Sequence, residues 1–173
     1  MDDTRVRWHT LPGVWAFWLA LALHAGLVVW LAVAGPDVVA SHAGLDGTVD
    51  AWQSRTAAVV TWTVMGVVWT GLGIAIVRIP AAIVNVPHPE YWKRPEHLGQ
   101  LRRRSISGLS WFAAMTAVLL VAVLAGMVST SGWARQLPTV ALVIYLVATV
   151  LWIVVFVRSF RVPEDPADSW GDR

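Results

Sequence analysis

The sequence predicts an all-α integral membrane protein, with four transmembrane helices arranged as two hairpins and both termini cytoplasmic. Three observations lead there. The 173 residues are 57% hydrophobic and 14% charged, with mean hydropathy +0.60, whereas a soluble domain carries about 25% charged residues. The apolar residues fall into four runs of bilayer-spanning length. The basic residues cluster between the runs: Arg78, Lys93, Arg94, Arg102, Arg103 and Arg104 are six of the thirteen Lys/Arg.

The basic residues beside apolar spans are expected to set topology and touch anionic lipid rather than nucleic acid. With 0 cysteines, disulfides, thiolate nucleophiles and Cys-ligated metals are excluded.

Met1–Gly13 is a polar lead with Arg5 and Arg7, and Val14–Ala34 is the first span. Ala32-Val33-Ala34 resembles a signal-peptidase site, but the run exceeds the usual h-region of about 7–15 residues. Trp15, Trp18 and Trp30 suit interfacial anchors, so the run is read as a permanent span. His24 stands at its midpoint, where an ionisable group faces protein or a water-filled cavity. It is expected either to act as a proton relay or to make one interhelical hydrogen bond to Thr70, Thr116 or Tyr145.

Gly35–Arg55 is the first loop. If its glycines fold it back, His42, Asp46 and Asp50 supply the imidazole and carboxylates of a metal site. Alternatively Asp46-Gly47 is a turn, Asp50 caps the next helix, and Trp52 lies at the interface. Thr56–Val77 is the second span. Gly66, Gly71 and Gly73 there, Ala22/Gly26 in the first span and Ala122/Gly126 in the third predict close helix contacts.

The loop Pro80–Arg104 is stiffened by Pro87, Pro89 and Pro95, and Tyr91 and Trp92 suit a headgroup boundary beside Lys93 and Arg94. Residues Glu96–Arg104 are expected to begin a basic helix entering the third span, Leu109–Ser129. Pro138 suits the first turn of the fourth span, which runs to about Val157. Beyond it, Arg158 and Arg161 mix with Glu164, Asp165, Asp168 and Asp172, and residues 159–173 are expected to form a flexible cytoplasmic tail. Residues 1–105 thus hold the first hairpin and 106–158 the second.

Counting Lys/Arg along the chain gives 2 before the first span, then 1, 6, 1 and 3 in the successive intervals. The excess, 11 against 2, puts both termini and the central loop inside and the His42 loop outside.

Two motifs together resemble a bacterial membrane family, the domain of unknown function 1648, found also at the start of SdpI-type toxin-immunity proteins. The first is His42, Gly47, Asp50, Trp52, Ser54 and Arg55, with Arg55 for the usual lysine and Ala40 where the family has proline. The second is Asn85, Val86, Pro87, Tyr91, Trp92, Pro95 and Glu96. The resemblance covers roughly the first 105 residues. It implies that His42 and Asp50 outside, and Asn85, Tyr91, Trp92 and Glu96 inside, belong to a shared structural or recognition feature.

The sequence therefore leads to a non-enzymatic protein of the bacterial cytoplasmic (inner) membrane, an accessory, sensor-like or toxin-immunity binding protein without a cofactor. Its outer recognition residues are His42, Asp46, Gly47, Asp50, Trp52 and Arg55, and its cytoplasmic ones Asn85, Pro87, Tyr91, Trp92 and Glu96. Expected partners are the lipid bilayer, a membrane-protein partner or a homo-oligomer, and an extracellular peptide, with no nucleic acid. The alternative is a small oligomeric transporter or channel component using His24. A metal-dependent enzyme built on His42, Asp46 and Asp50 is a third class.

Overall fold

The structure is a computed structural model and describes residues 6–129 and 131–162. The expected acidic tail from residue 163 on and the first five residues of the lead lie outside them.

Four helices are long and apolar enough to cross a membrane, the architecture of a multi-pass membrane protein. They are α1 (Pro12–Ala34), α2 (Arg55–Arg78), α4 (Leu98–Val128) and α5 (Leu137–Arg158); a single turn, α3 (Pro89–Trp92), lies between α2 and α4. Each begins where local chemistry allows. Pro12 and Pro138 occupy first-turn positions of α1 and α5, where a missing N–H leaves no bond unmade. Ser54 precedes α2, and its hydroxyl accepts the Ala57 N–H at 3.2 Å. Ser54 is thus the cap that was expected of Asp50, whose carboxylate is engaged elsewhere.

Helix α4 starts at Leu98 and carries its basic first turns unbroken into the apolar run. It is also the central element. Its broadest interface is with α1, and α5 packs on α4 without burying any residue completely. The α1 and α2 helices run antiparallel: Phe17 lies against Gly73, and His24 against Gly66. The α4 and α5 helices do likewise, with Thr116 Oγ1 3.1 Å from the Tyr145 hydroxyl and the Trp152 Nε1–H donating to the Gly108 carbonyl at 2.9 Å.

Close packing depends on particular glycines. A side chain at Gly73 would collide with the Phe17 ring, and one at Gly126 would meet Pro138 at 2.5 Å. Gly26 and Gly71 face open space. The expected close approach at those two positions is therefore absent, because α1 turns its other face to α4 and Gly71 points away from α1.

Two buried clusters fill the bundle. One joins Val14, Phe17, Ile76 and Ile106 near the start of α1. The other joins Leu31, Val39, Ala58, Trp62 and Leu124 near its end. A third lies at the start of α4 and the end of α5, where Val84, Val86, Trp92, Leu101 and Phe160 pack together. Phe160, within the segment expected to be a flexible tail, is fully buried there, since its ring packs edge-on against Trp92 at 5.9 Å.

Candidate functional site

The segment between α1 and α2 is a β-hairpin. Gly35 and Pro36 end α1, and the β-branched stretch that follows forms β1 (Val38–Ala43), paired antiparallel with β2 (Val49–Ser54). The turn is closed by side-chain chemistry. Asp46 Oδ1 accepts from the Thr48 N–H at 3.0 Å and from its hydroxyl at 2.7 Å, and Gly47 takes φ +81, a conformation that glycine adopts without strain. Those two Thr48 bonds, hydroxyl first, hold the Asp46 carboxyl below its ordinary value.

The register is irregular. Ala40 pairs with Trp52, His42 with Ala51, and Ala43 with Val49. Ser41 is therefore an extra residue on β1 and Asp50 an extra one on β2, and such bulges redirect side chains. By strict alternation His42 would share the buried side with Ala40, which is 4% exposed. The bulge at Ser41 turns it outward, where its Nδ1 lies 2.6 Å from Asp50 Oδ1. His42 and Asp50 thus pair on an exposed face of the hairpin, and Trp52, set opposite Ala40 in the register, is exposed two residues further along β2.

This face is held at both ends. At its base the Arg55 guanidinium donates to the Gly35 carbonyl at 3.0 Å and pairs with Asp37, and the Arg55 N–H donates to the Asp37 carbonyl. At its tip the Thr139 hydroxyl donates to the Leu45 carbonyl at 2.9 Å, tying the turn to the start of α5. Val39 anchors β1 in the bundle core. An apolar cavity of about 240 Å³ lies where the hairpin meets α4 and α5, lined by Ala40, His42, Val123, Met127 and Leu142. It is below the roughly 300–1,000 Å³ of a drug-sized ligand site and suits a single side chain.

No protein-family model matches the chain, and no curated protein or solved structure matches it. The site is therefore judged on its own geometry.

Of the six outer-loop candidates, His42, Asp50 and Trp52 form the surface, while Asp46, Gly47 and Arg55 shape it. The three-ligand convergence of His42, Asp46 and Asp50 does not occur, because Thr48 captures the Asp46 carboxylate. Among the described residues no group of three or more His, Cys, Asp or Glu side chains comes together.

The second candidate loop divides differently. Val84 and Val86 point inward while Asn85 and Pro87 are exposed, the alternation of an extended segment. Glu96 is also exposed, and Tyr91 stacks on His97 at 4.1 Å. Trp92, expected at a headgroup boundary and as a recognition residue, is instead fully buried. Its Nε1–H donates to the Phe160 carbonyl at 2.7 Å and the Arg104 guanidinium lies over its ring at 4.5 Å, so its polar and aromatic character is spent within the protein.

His24 is buried between α1 and α2, and its Nε2–H donates to the Trp62 carbonyl at 3.0 Å. The partner is backbone, not Thr70, Thr116 or Tyr145. Thr70 bonds to Gly66 within its own helix, and Thr116 and Tyr145 bond to each other. Gly66 makes the contact feasible, for a side chain there would come within 3.3 Å of the imidazole. His24 Nδ1 is buried with no hydrogen-bond partner among the described residues.

The capping role of Ser54, and the parts played by Thr139 and the Phe160 carbonyl, were not drawn from the sequence. Ser54 carried a readable signal, a serine immediately before an apolar run. The other two depend on contacts 94 and 68 residues apart, for which no local signal exists.

Proposed function

We propose that this chain is a non-catalytic protein of the bacterial cytoplasmic membrane, with its four spans as two hairpins, both termini inside and the β-hairpin outside. It acts as an accessory, sensor-like or toxin-immunity binding protein, and the β-hairpin face recognises an extracellular peptide or the outer part of a membrane-protein partner. The observation that carries this reading is the exposed His42–Asp50 pair, with Trp52 also exposed on β2, on a hairpin secured at base and tip. An exposed tryptophan presented on a fixed backbone is a residue type enriched at interaction hot spots. The lysine and arginine distribution supports the orientation, and the two motifs resembling the domain of unknown function 1648 support the immunity version.

Gentle affinity purification from native membranes followed by intact-complex mass spectrometry tests it. The reading expects a stoichiometric companion held by the wild type and lost from His42→Ala and Trp52→Ala. A clean homo-oligomer without a companion, or equal retention by the variants, contradicts it.

One observation favours a second reading, a small oligomeric transporter component: the buried, unpartnered Nδ1 of His24 is an acceptor inside a membrane span. Under that reading a pH-dependent flux through reconstituted protein disappears in His24→Leu; flux that survives removes His24 from any such mechanism.

A further inference from the structure

A further large groove is separate from both loops. It measures about 890 Å³ and lies between the start of α1 and α5, with α4 as its floor. Its two ends differ chemically. Gln100, Arg103, Arg104 and Ser107 line one end, and Trp111, Met115, Leu151 and Val155 continue it as an apolar trench. Among the described residues no carboxylate lines it.

Dimensions match this polarity to one leaflet. From Arg103 to Met115 α4 rises about 18 Å at 1.5 Å per residue, close to the depth of half a roughly 30 Å hydrocarbon core plus the adjoining headgroup layer. The cationic end therefore falls at headgroup level if the trench lies within the acyl region. Arg104 is fixed there by the Ser159 carbonyl and the Trp92 ring. Arg103 is exposed and has no protein partner among the described residues.

We infer that this groove binds one anionic phospholipid, its phosphate against Arg103 and Arg104 and an acyl chain along Trp111, Met115 and Leu151. Basic pockets between helices at the bilayer surface hold anionic headgroups in this way. The groove's own apolar length supplies the site for the chain, independently of what the hairpin recognises.

The test is native mass spectrometry of the full chain released from mixed vesicles of phosphatidylglycerol and phosphatidylcholine with identical acyl chains. At about fivefold per arginine near the surface, the wild type retains one phosphatidylglycerol with a preference of roughly twentyfold. Arg103→Gln, a change at an exposed side chain, lowers that preference about fivefold. Lys93→Gln, which removes a charge outside the groove, leaves it unchanged. Met115→Trp, which fills the trench, ends retention of both lipids. Equal retention of the two lipids by the wild type, an unchanged preference in Arg103→Gln, or an equal fall in Lys93→Gln overturns the assignment.

Discussion

His42 Nδ1 meets Asp50 Oδ1 at 2.6 Å although the strand register sets His42 opposite Ala51. Two offset bulges produce the pairing, and the pair is open to solvent, with side chains 68% and 61% exposed. Exposed ion pairs contribute about 0–1 kcal/mol to stability, so a stabilising role does not account for this geometry. His42→Ala and Asp50→Asn should each shift thermal unfolding by less than about 1 kcal/mol while abolishing capture of the outer partner. Unfolding curves and co-purification on the same preparations check both halves.

Trp92 carries the opposite expectation. It is fully buried and bonded to the Phe160 carbonyl, so Trp92→Ala should destabilise the protein by about 3–5 kcal/mol. Trp92→Phe keeps most of the ring and leaves the carbonyl unpaired, for a smaller loss of about 1–3 kcal/mol. Protease accessibility of the segment around Ser159 should rise more in Trp92→Ala than in Trp92→Phe.

Gly73 and Gly71 provide a matched pair on one helix. Gly73→Ala forces a methyl group into the Phe17 ring and should destabilise by about 1–3 kcal/mol. Gly71→Ala enters open space and should be neutral or stabilising by up to about 1 kcal/mol, through its helix propensity. Denaturation in detergent compares them directly.

Asp46 sets the acid response of the hairpin. Its carboxyl is held below the ordinary 3.8 by the Thr48 hydrogen bonds. A depressed folded-state value means that the stabilisation is complete above the unfolded value and is lost as pH falls through the folded one. Protection of the Thr48 amide from hydrogen exchange should therefore hold at neutral pH and fall only in acid below 3.8. Asp46→Asn should remove that acid dependence.

The four spans were legible because bilayer length and uniform apolarity are local properties of the chain. The α4 start was legible to within two residues, Leu98 against the expected Glu96, since Pro95 lies just before it and no proline interrupts the run up to Val128. The hairpin was harder. Its glycines announced a fold-back, but whether His42 pointed inward or outward depended on the bulge at Ser41, which flips every side chain beyond it. Trp92 was misplaced for a related reason: beside Lys93 and Arg94 it has the composition of an interfacial anchor, and only Phe160, far along the chain, brings it into a core. Among the helix glycines, spacing marked the set but could not separate Gly73 from Gly71, because that depends on how α2 is rotated against α1.

The central claim, that the exposed hairpin bearing His42, Asp50 and Trp52 recognises a partner, is tested most directly by photo-crosslinking in native membranes. A photoreactive residue is placed at position 52, with position 147 on the exposed face of α5 as the control. The account predicts one discrete crosslinked product from position 52, lost on adding His42→Ala and absent from position 147. Crosslinking to lipid alone from position 52, or the same product from both positions, would contradict it.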